Sequence, residues 1–70
     1  MPQLLDARGL ACPLPAIKAR RALADLAPGE TLVVLATDPE APVDVGALAD
    51  RVEVEREGGV WRITLVKDSG

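Results

Sequence analysis

The sequence predicts an α+β fold, in which two helices cover one face of a mixed four-stranded sheet in the order β-α-β-α-β-β. A helical segment that begins at Pro13 lies between two strand candidates, Gln3–Asp6 and Thr31–Thr37, and a second, shorter helical segment begins at Ala41. The end of the chain is typical of two strands joined at Gly58-Gly59, a strong hairpin signal. A βαβ unit pairs its strands in parallel and a hairpin pairs them antiparallel, so we expect a mixed sheet in a two-layer sandwich.

The first three elements follow from residues 3–37. Gln3–Asp6 is a short strand candidate, and Gly9 breaks the chain after it. The first helix is predicted from Pro13 to Leu26, because proline is favoured at the first helical position, and Pro28-Gly29 ends it. The aliphatic run Thr31–Thr37, TLVVLAT, predicts a strand in the centre of the sheet.

The second half is predicted to hold a helix and a hairpin. The helix runs from Ala41 to about Arg51, and the strands are Val52–Glu57 and Val60–Val66. Spacing also predicts which side chains face the core. They are Ala16, Ala19, Ala22, Leu23 and Leu26 in the first helix, Val43, Ala47 and Leu48 in the second, and Trp61, Ile63 and Leu65 in the last strand.

Length and composition indicate one small domain over residues 1–70. The single cysteine cannot pair within the chain, and no segment reads as a secretion signal or a membrane span. We therefore expect a cytoplasmic protein without a membrane partner.

Charge is spread unevenly along the chain, whose formal net charge is −3. Residues 1–24 hold four basic side chains and one acidic one, whereas residues 25–70 hold four basic and ten acidic ones. The overall acidity argues against general nucleic-acid binding, so no direct nucleic-acid partner is expected. The basic part contains the cysteine.

The segment RGLACPLPAIKARRA holds the candidate catalytic residue, Cys12. With Pro13 at the first helical position, Cys12 is predicted to be the N-cap, where the peptide dipoles would lower the pKa of the thiol. Both prolines lack an N–H, so the Leu14 N–H is expected to meet the sulfur. Gly9, Pro13, Leu14 and Pro15 are thus predicted to shape the site. A small, buried and inert cysteine is the alternative.

Four basic side chains, Arg8, Lys18, Arg20 and Arg21, are candidate contacts for a partner or for a negatively charged group on the sulfur. Arg20 is favoured because it projects toward the apolar side of the helix. The alternative is that these are solvated surface charges. Asp38 and Asp44 bracket the start of the second helix and are interpreted as turn and capping residues.

The residues that are missing narrow the chemistry. Without histidine there is no Cys–His pair, and without a second cysteine there is no C-x-x-C couple. One thiol is too few for a zinc or iron–sulfur site, and no glycine-rich phosphate loop is present. We therefore expect no metal and no cofactor. A lone thiolate without a base is suited to accepting a group and passing it on.

The stretches LDARGLACPLPAIKARRAL and LAPGETLVVLATDPEAPVDV resemble the TusA family of sulfur carrier proteins, also called SirA-like. The family pattern is Cys-Pro-x-Pro at the start of the first helix, preceded by LDxRGLxCP and followed by a PGE turn and a DP…D pattern. The matching residues are Leu5, Asp6, Arg8, Gly9, Leu10, Cys12, Pro13, Pro15, Pro28, Gly29, Glu30, Asp38, Pro39 and Asp44.

This resemblance implies a fold similar to the C-terminal domain of translation initiation factor three. It also implies that Cys12 accepts a persulfide sulfur from a cysteine desulfurase or a rhodanese-like donor and relays it to an acceptor protein. The sulfur would serve tRNA thiolation, molybdenum cofactor synthesis or sulfur oxidation, with the chain acting as a carrier rather than a stand-alone turnover enzyme. A thiol-based redox sensor and a regulatory interaction module are the alternatives.

Overall fold

The computed structural model describes residues 2–68, which contain four strands and two helices. They are β1 (Gln3–Ala7), α1 (Leu14–Ala24), β2 (Thr31–Ala36), α2 (Ala41–Gly46), β3 (Arg51–Glu57) and β4 (Val60–Val66). The predicted order β-α-β-α-β-β is confirmed. Strand boundaries agree with the prediction to within one residue, and both helices are shorter than predicted.

The sheet has the strand order β1-β2-β4-β3. β1 pairs with β2 in parallel, while β4 pairs antiparallel with both β2 and β3, so the predicted mixed sheet is confirmed. The apolar run in β2 lies between two other strands, as its composition indicated, and it alternates buried and half-buried residues.

The core lies between the sheet and the two helices. Its buried members are Ala7, Ala19, Leu23, Leu26, Leu32, Val34, Ala36, Ala41, Val45, Ile63 and Leu65. The face predicted for the first helix and for β4 is thus largely confirmed, with Ala16, Ala22 and Trp61 half-buried against the core.

The face predicted for α2 is wrong. The helix begins at Ala41, which is buried, and Val45 one turn later is buried too. Val43 is 74% exposed, because residues two positions apart lie on nearly opposite sides of a helix. The helix ends at Gly46, beside β3, so Ala47 lies beyond the helix and is exposed. Only Leu48 of the predicted trio packs against the core.

The parallel pairing of β1 and β2 positions the functional site. Ala7 and Ala36 are partners in the register, so the two strands end at the same edge of the sheet. The loops that follow them, residues 8–13 and 37–40, therefore meet at that edge.

Candidate functional site around Cys12

Cys12 lies in the connection between β1 and α1, and its thiol is free and exposed. Gly9 turns the chain with a φ of +81°, a conformation that glycine adopts readily. The Gly9 N–H donates to the hydroxyl oxygen of Thr37 at 2.9 Å, which ties this connection to the loop after β2. The peptide bond between Cys12 and Pro13 is cis.

The predicted N-cap position of Cys12 is wrong by one residue. α1 begins at Leu14, so Pro13 occupies the N-cap and provides no capping side chain. The Leu14 N–H donates to the Ala11 carbonyl at 2.9 Å, closing a turn before the helix. This donor is therefore occupied, and the sulfur does not receive the predicted hydrogen bond from Leu14.

Asp38 holds the backbone of Cys12 in place. Its Oδ2 accepts the Cys12 N–H at 2.9 Å, and its Oδ1 accepts the Glu40 N–H at 2.8 Å. The bond to Glu40 is the turn-forming role predicted for Asp38. The bond to Cys12 spans 26 positions of the sequence and was not predicted.

Asp44 contacts the sulfur itself. The Cys12 thiol donates to Asp44 Oδ2 across 3.1 Å, which joins the β1–α1 connection to α2. The capping role predicted for Asp44 is therefore wrong, because its carboxylate faces the thiol. The cleft around this contact is too tight to hold a water molecule, and it is lined by Cys12, Pro13, Pro15, Ala16, Asp38, Ala41 and Asp44.

The electrostatics of the thiol are opposite to the prediction. The hydrogen bond from the Cys12 thiol to Asp44 raises the pKa of that thiol from 9.0 to about 12, and desolvation and the nearby Glu40 carboxylate act in the same direction. The lowered pKa expected from the helix dipole is therefore wrong, because Cys12 lies outside the helix and beside two acids. At rest, Cys12 is a neutral thiol.

None of the four predicted basic residues lines the cleft around the sulfur, and the charged groups that shift the pKa of the thiol are both acidic. Arg8 forms a two-point ion pair with Asp6, in which Nε and Nη2 each donate to a carboxylate oxygen at 2.8 Å. This pair lowers the pKa of Asp6 from 3.8 to about 2. Arg20 is exposed on α1 and does not line the cleft around the sulfur, so its role as a contact stays a prediction.

The remaining predicted residues divide between core and surface. Pro15 is fully buried and packs under the start of α1, so it supports the site from within. Leu14 is 44% exposed and Ile17 is 53% exposed. These two line a surface groove of about 430 Å³, which also includes Leu5, Lys18, Arg21, Ala22 and Asp25. Leu14, which lines this groove, follows Cys12 by two residues in the sequence.

One group of ligating atoms lies at this site. Within residues 2–68, the Cys12 sulfur and carboxylate oxygens of Glu40 and Asp44 all lie within 4.8 Å of one another. Structural zinc sites use four cysteine or histidine ligands, a set this chain does not contain. We therefore interpret the group as a thiol hydrogen-bonded among acids, and the absence of a metal remains a prediction.

Comparisons with known proteins identify the family. The family model described as "Sulfurtransferase TusA" matches residues 3–67. The chain belongs to the TusA family. The sulfur carrier protein TusA of Allochromatium vinosum is 39% identical, over 93% of this chain and 92% of that protein. A putative sulfur carrier protein of Neisseria meningitidis is 51% identical, over 90% and 92% respectively.

A solved structure supports the same assignment. The crystal structure of a SirA-like protein from Desulfitobacterium hafniense matches with a TM-score of 0.83 and 31% identity, covering 97% of this chain and 99% of that one. The resemblance and the fold predicted from the sequence are thus confirmed. Among residues 2–68 of this TusA-family chain, no helix is long and apolar enough to cross a membrane.

Proposed function

We propose that this chain is a sulfur carrier that holds sulfur as a persulfide on Cys12 and passes it to an acceptor protein. The observation that carries the proposal is an exposed, free thiol whose backbone and sulfur are each held by a separate carboxylate. Relatives over nearly the full chain are named sulfur carrier proteins, which supports the same role.

The proposed transfer is a thiol exchange without net oxidation. The donor carries R–S–SH, and the Cys12 sulfur attacks its terminal sulfur. The S–S bond of the donor breaks as a new S–S bond forms on Cys12, and the donor leaves as a thiolate. The proton that Cys12 loses ends on that thiolate, so the products are Cys12–S–SH and R–SH. Transfer to the acceptor repeats this exchange, with Cys12 as the leaving group.

The donor class follows from the chemistry of this exchange. A cysteine desulfurase and a rhodanese-like sulfurtransferase both present a protein-bound persulfide, so either fits. We propose that the donor docks on the groove along α1, where the half-exposed Leu14 and Ile17 adjoin Lys18 and Arg21. A partner with apolar and acidic side chains would complement this surface.

Sulfur loading is tested by mass. The reduced protein is incubated with a cysteine desulfurase and free cysteine, and its intact mass is measured before and after treatment with a reductant. We expect a species heavier by one sulfur atom, lost on reduction and absent from Cys12→Ser. Failure to form the adduct with desulfurase and rhodanese-type donors alike would contradict the proposal.

Docking is tested by reversing charge on the groove. The double variant Lys18→Glu, Arg21→Glu should load at least severalfold more slowly at low salt, with the difference shrinking as salt screens the surface. Arg51→Glu, at the opposite end of the sheet, is the control and should load like the wild type. Equal loading of all three proteins would refute docking on this groove.

The alternatives give different results in the same experiments. Cysteines that act as redox sensors have a lowered pKa, whereas the pKa of Cys12 is raised, which counts against a sensor. Oxidation by peroxide without sulfur loading would favour the sensor, and neither reaction would favour an interaction module. We also propose the cytoplasm as the location, because a lone free thiol fits a reducing compartment.

A further inference from the structure

We propose that Asp44 restricts the reactions of Cys12 to those promoted by a docked partner, both when the thiol is free and when it carries sulfur. Its carboxylate keeps the free cysteine neutral, and it makes the loaded cysteine a slow leaving group toward small thiols. The second half of this inference rests on the proposed carrier function, whereas the first half concerns the thiol alone.

The contact is held from both sides. Asp44 lies on α2 next to the buried Val45 and one turn after the buried Ala41, which pack against the core. The sulfur approaches it from the β1–α1 connection, where the bond from the Cys12 N–H to Asp38 fixes the backbone. The 3.1 Å contact between Sγ and Asp44 Oδ2 is therefore part of the fold and not a chance meeting of mobile side chains.

The charges facing the thiol all have the same sign. Asp44 and Glu40 come from α2 and its N-cap, and Asp38 comes from the loop after β2. The start of α1 faces the cleft with the uncharged Pro15 and Ala16. In the part of the chain that the structure describes, the one ion pair joins residues 6 and 8, so none neutralises these acids.

These charges slow the reactions of the free thiol. The thiolate is the nucleophile, and forming it costs the hydrogen bond to Asp44 and exposes the new charge to repulsion from Asp44 and Glu40. The lost hydrogen bond to Asp44 contributes most to the raised pKa of Cys12, followed by desolvation, and the carboxylates of Glu40 and Asp44 act in the same direction. An exposed cysteine is thereby kept from reacting with electrophiles and oxidants before a donor arrives.

The same charges slow loss of the carried sulfur. A small thiolate R–S⁻ that attacks the terminal sulfur of Cys12–S–SH forms R–S–SH and breaks the bond at Sγ. The electron pair of that bond remains on Sγ, which takes up a proton. A thiol with a higher pKa leaves more slowly, so the environment that protects the free thiol also retains the sulfur. A partner that moves Asp44, or brings a positive charge to it, removes both restrictions.

The first test measures alkylation of Cys12 by iodoacetamide across pH in the wild type, Asp44→Asn and Asp50→Asn. Restoring an ordinary pKa of 9.0 from about 12 would raise the thiolate fraction by at most about a thousandfold. The nucleophilicity of the thiolate itself would fall by about 30-fold over the same change in pKa. Glu40 is still present in the variant and keeps part of the shift. We expect Asp44→Asn to react about tenfold faster near neutral pH, with its pH profile displaced to lower pH.

Asp50→Asn is the matched control, since it makes the same change at the opposite end of the sheet, before the residue paired with Val66. It should react like the wild type. If Asp44→Asn does not fold, alkylation is measured on the folded wild type and on the wild type unfolded in urea. The unfolded chain should be alkylated about tenfold faster than the folded one. Equal rates for Asp44→Asn and the wild type, or for folded and unfolded wild type, would overturn the proposal.

The second test measures retention of sulfur. Wild type and Asp44→Asn are loaded by the donor, freed from it and mixed with glutathione, and the loaded fraction is followed by intact mass. Asp44→Asn should lose its sulfur severalfold faster, and equal loss would refute the retention half. If neither protein loads, the carrier function fails, while the alkylation rates still decide whether Asp44 protects the free thiol.

Discussion

Replacing Asp38 should loosen the site and destabilise the fold, by a smaller amount in Asp38→Asn than in Asp38→Ala. Each of its carboxylate oxygens accepts one backbone N–H, from Cys12 and from Glu40. Hydrogen bonds to charged groups contribute about 1.5–3 kcal/mol each, and the half-buried position of Asp38 favours the lower end of that range. Asparagine retains one acceptor oxygen and loses the charge, so Asp38→Asn should lower the free energy of unfolding by about 1–2 kcal/mol. Asp38→Ala loses both bonds and should cost about 2–3 kcal/mol.

The assay is urea unfolding followed by far-ultraviolet circular dichroism. A domain of this size has a total stability of about 4–10 kcal/mol, and the slope in urea is about 1 kcal/mol per molar. The midpoint should therefore fall by about 1–2 M in Asp38→Asn and further in Asp38→Ala. Sulfur loading of the folded variants should also slow, because the Cys12 backbone is no longer held. Midpoints equal to that of Asp50→Asn in both variants would refute this account of Asp38.

Three further predictions use the same unfolding assay. The Lys67 ammonium donates to the Leu23 carbonyl, near the end of α1, at 2.8 Å. Lys67→Met should therefore lower the free energy of unfolding by about 1 kcal/mol, and an unchanged midpoint would show that this bond contributes nothing. Gly46 is helical and a Cβ there would meet only an ordinary contact at 3.6 Å, so Gly46→Ala should stabilise by about 0.5 kcal/mol, whereas a loss would indicate crowding. The lowered pKa of Asp6 stabilises the fold above its unfolded value of 3.8, and this contribution is lost as pH falls toward about 2. Because Asp6 and Arg8 are both exposed, Asp6→Asn should shift the urea midpoint only slightly near neutral pH. The midpoint of the variant should also fall less between about pH 4 and pH 2 than that of the wild type. A large shift near neutral pH would contradict the interpretation of this pair as a weak surface ion pair.

The order of elements could be predicted because each is marked by short-range chemistry. The continuous apolar run TLVVLAT is typical of a central strand, and Gly58 and Gly59 supply the two positive φ angles of the hairpin turn. The extent of α2 could not be predicted in this way. Where it stops and which face it buries depend on its packing against the sheet, with Ala41 and Val45 toward the core.

The candidate functional cysteine could also be singled out from the sequence. One thiol in a Cys-Pro-Leu-Pro motif, with no histidine and no second cysteine, leaves few chemistries, and Cys12 is indeed exposed at the end of the first connection. These features are local, so they need no knowledge of which distant residues meet. By itself the sequence thus determined the fold class and the family, and it singled out the residue that we propose carries the chemistry.

Only the tertiary structure decided the state of that residue. The helix-dipole argument placed a thiolate at an N-cap, yet Cys12 lies one residue before the N-cap of α1, and its thiol donates to Asp44, 32 positions away. Asp38, Glu40 and Asp44 reach Cys12 because β1 and β2 are parallel and end at one edge, so the segments that follow them meet there. Charge acts through distance in space, and the protonation of Cys12 was therefore decided by residues that only the fold brings to it.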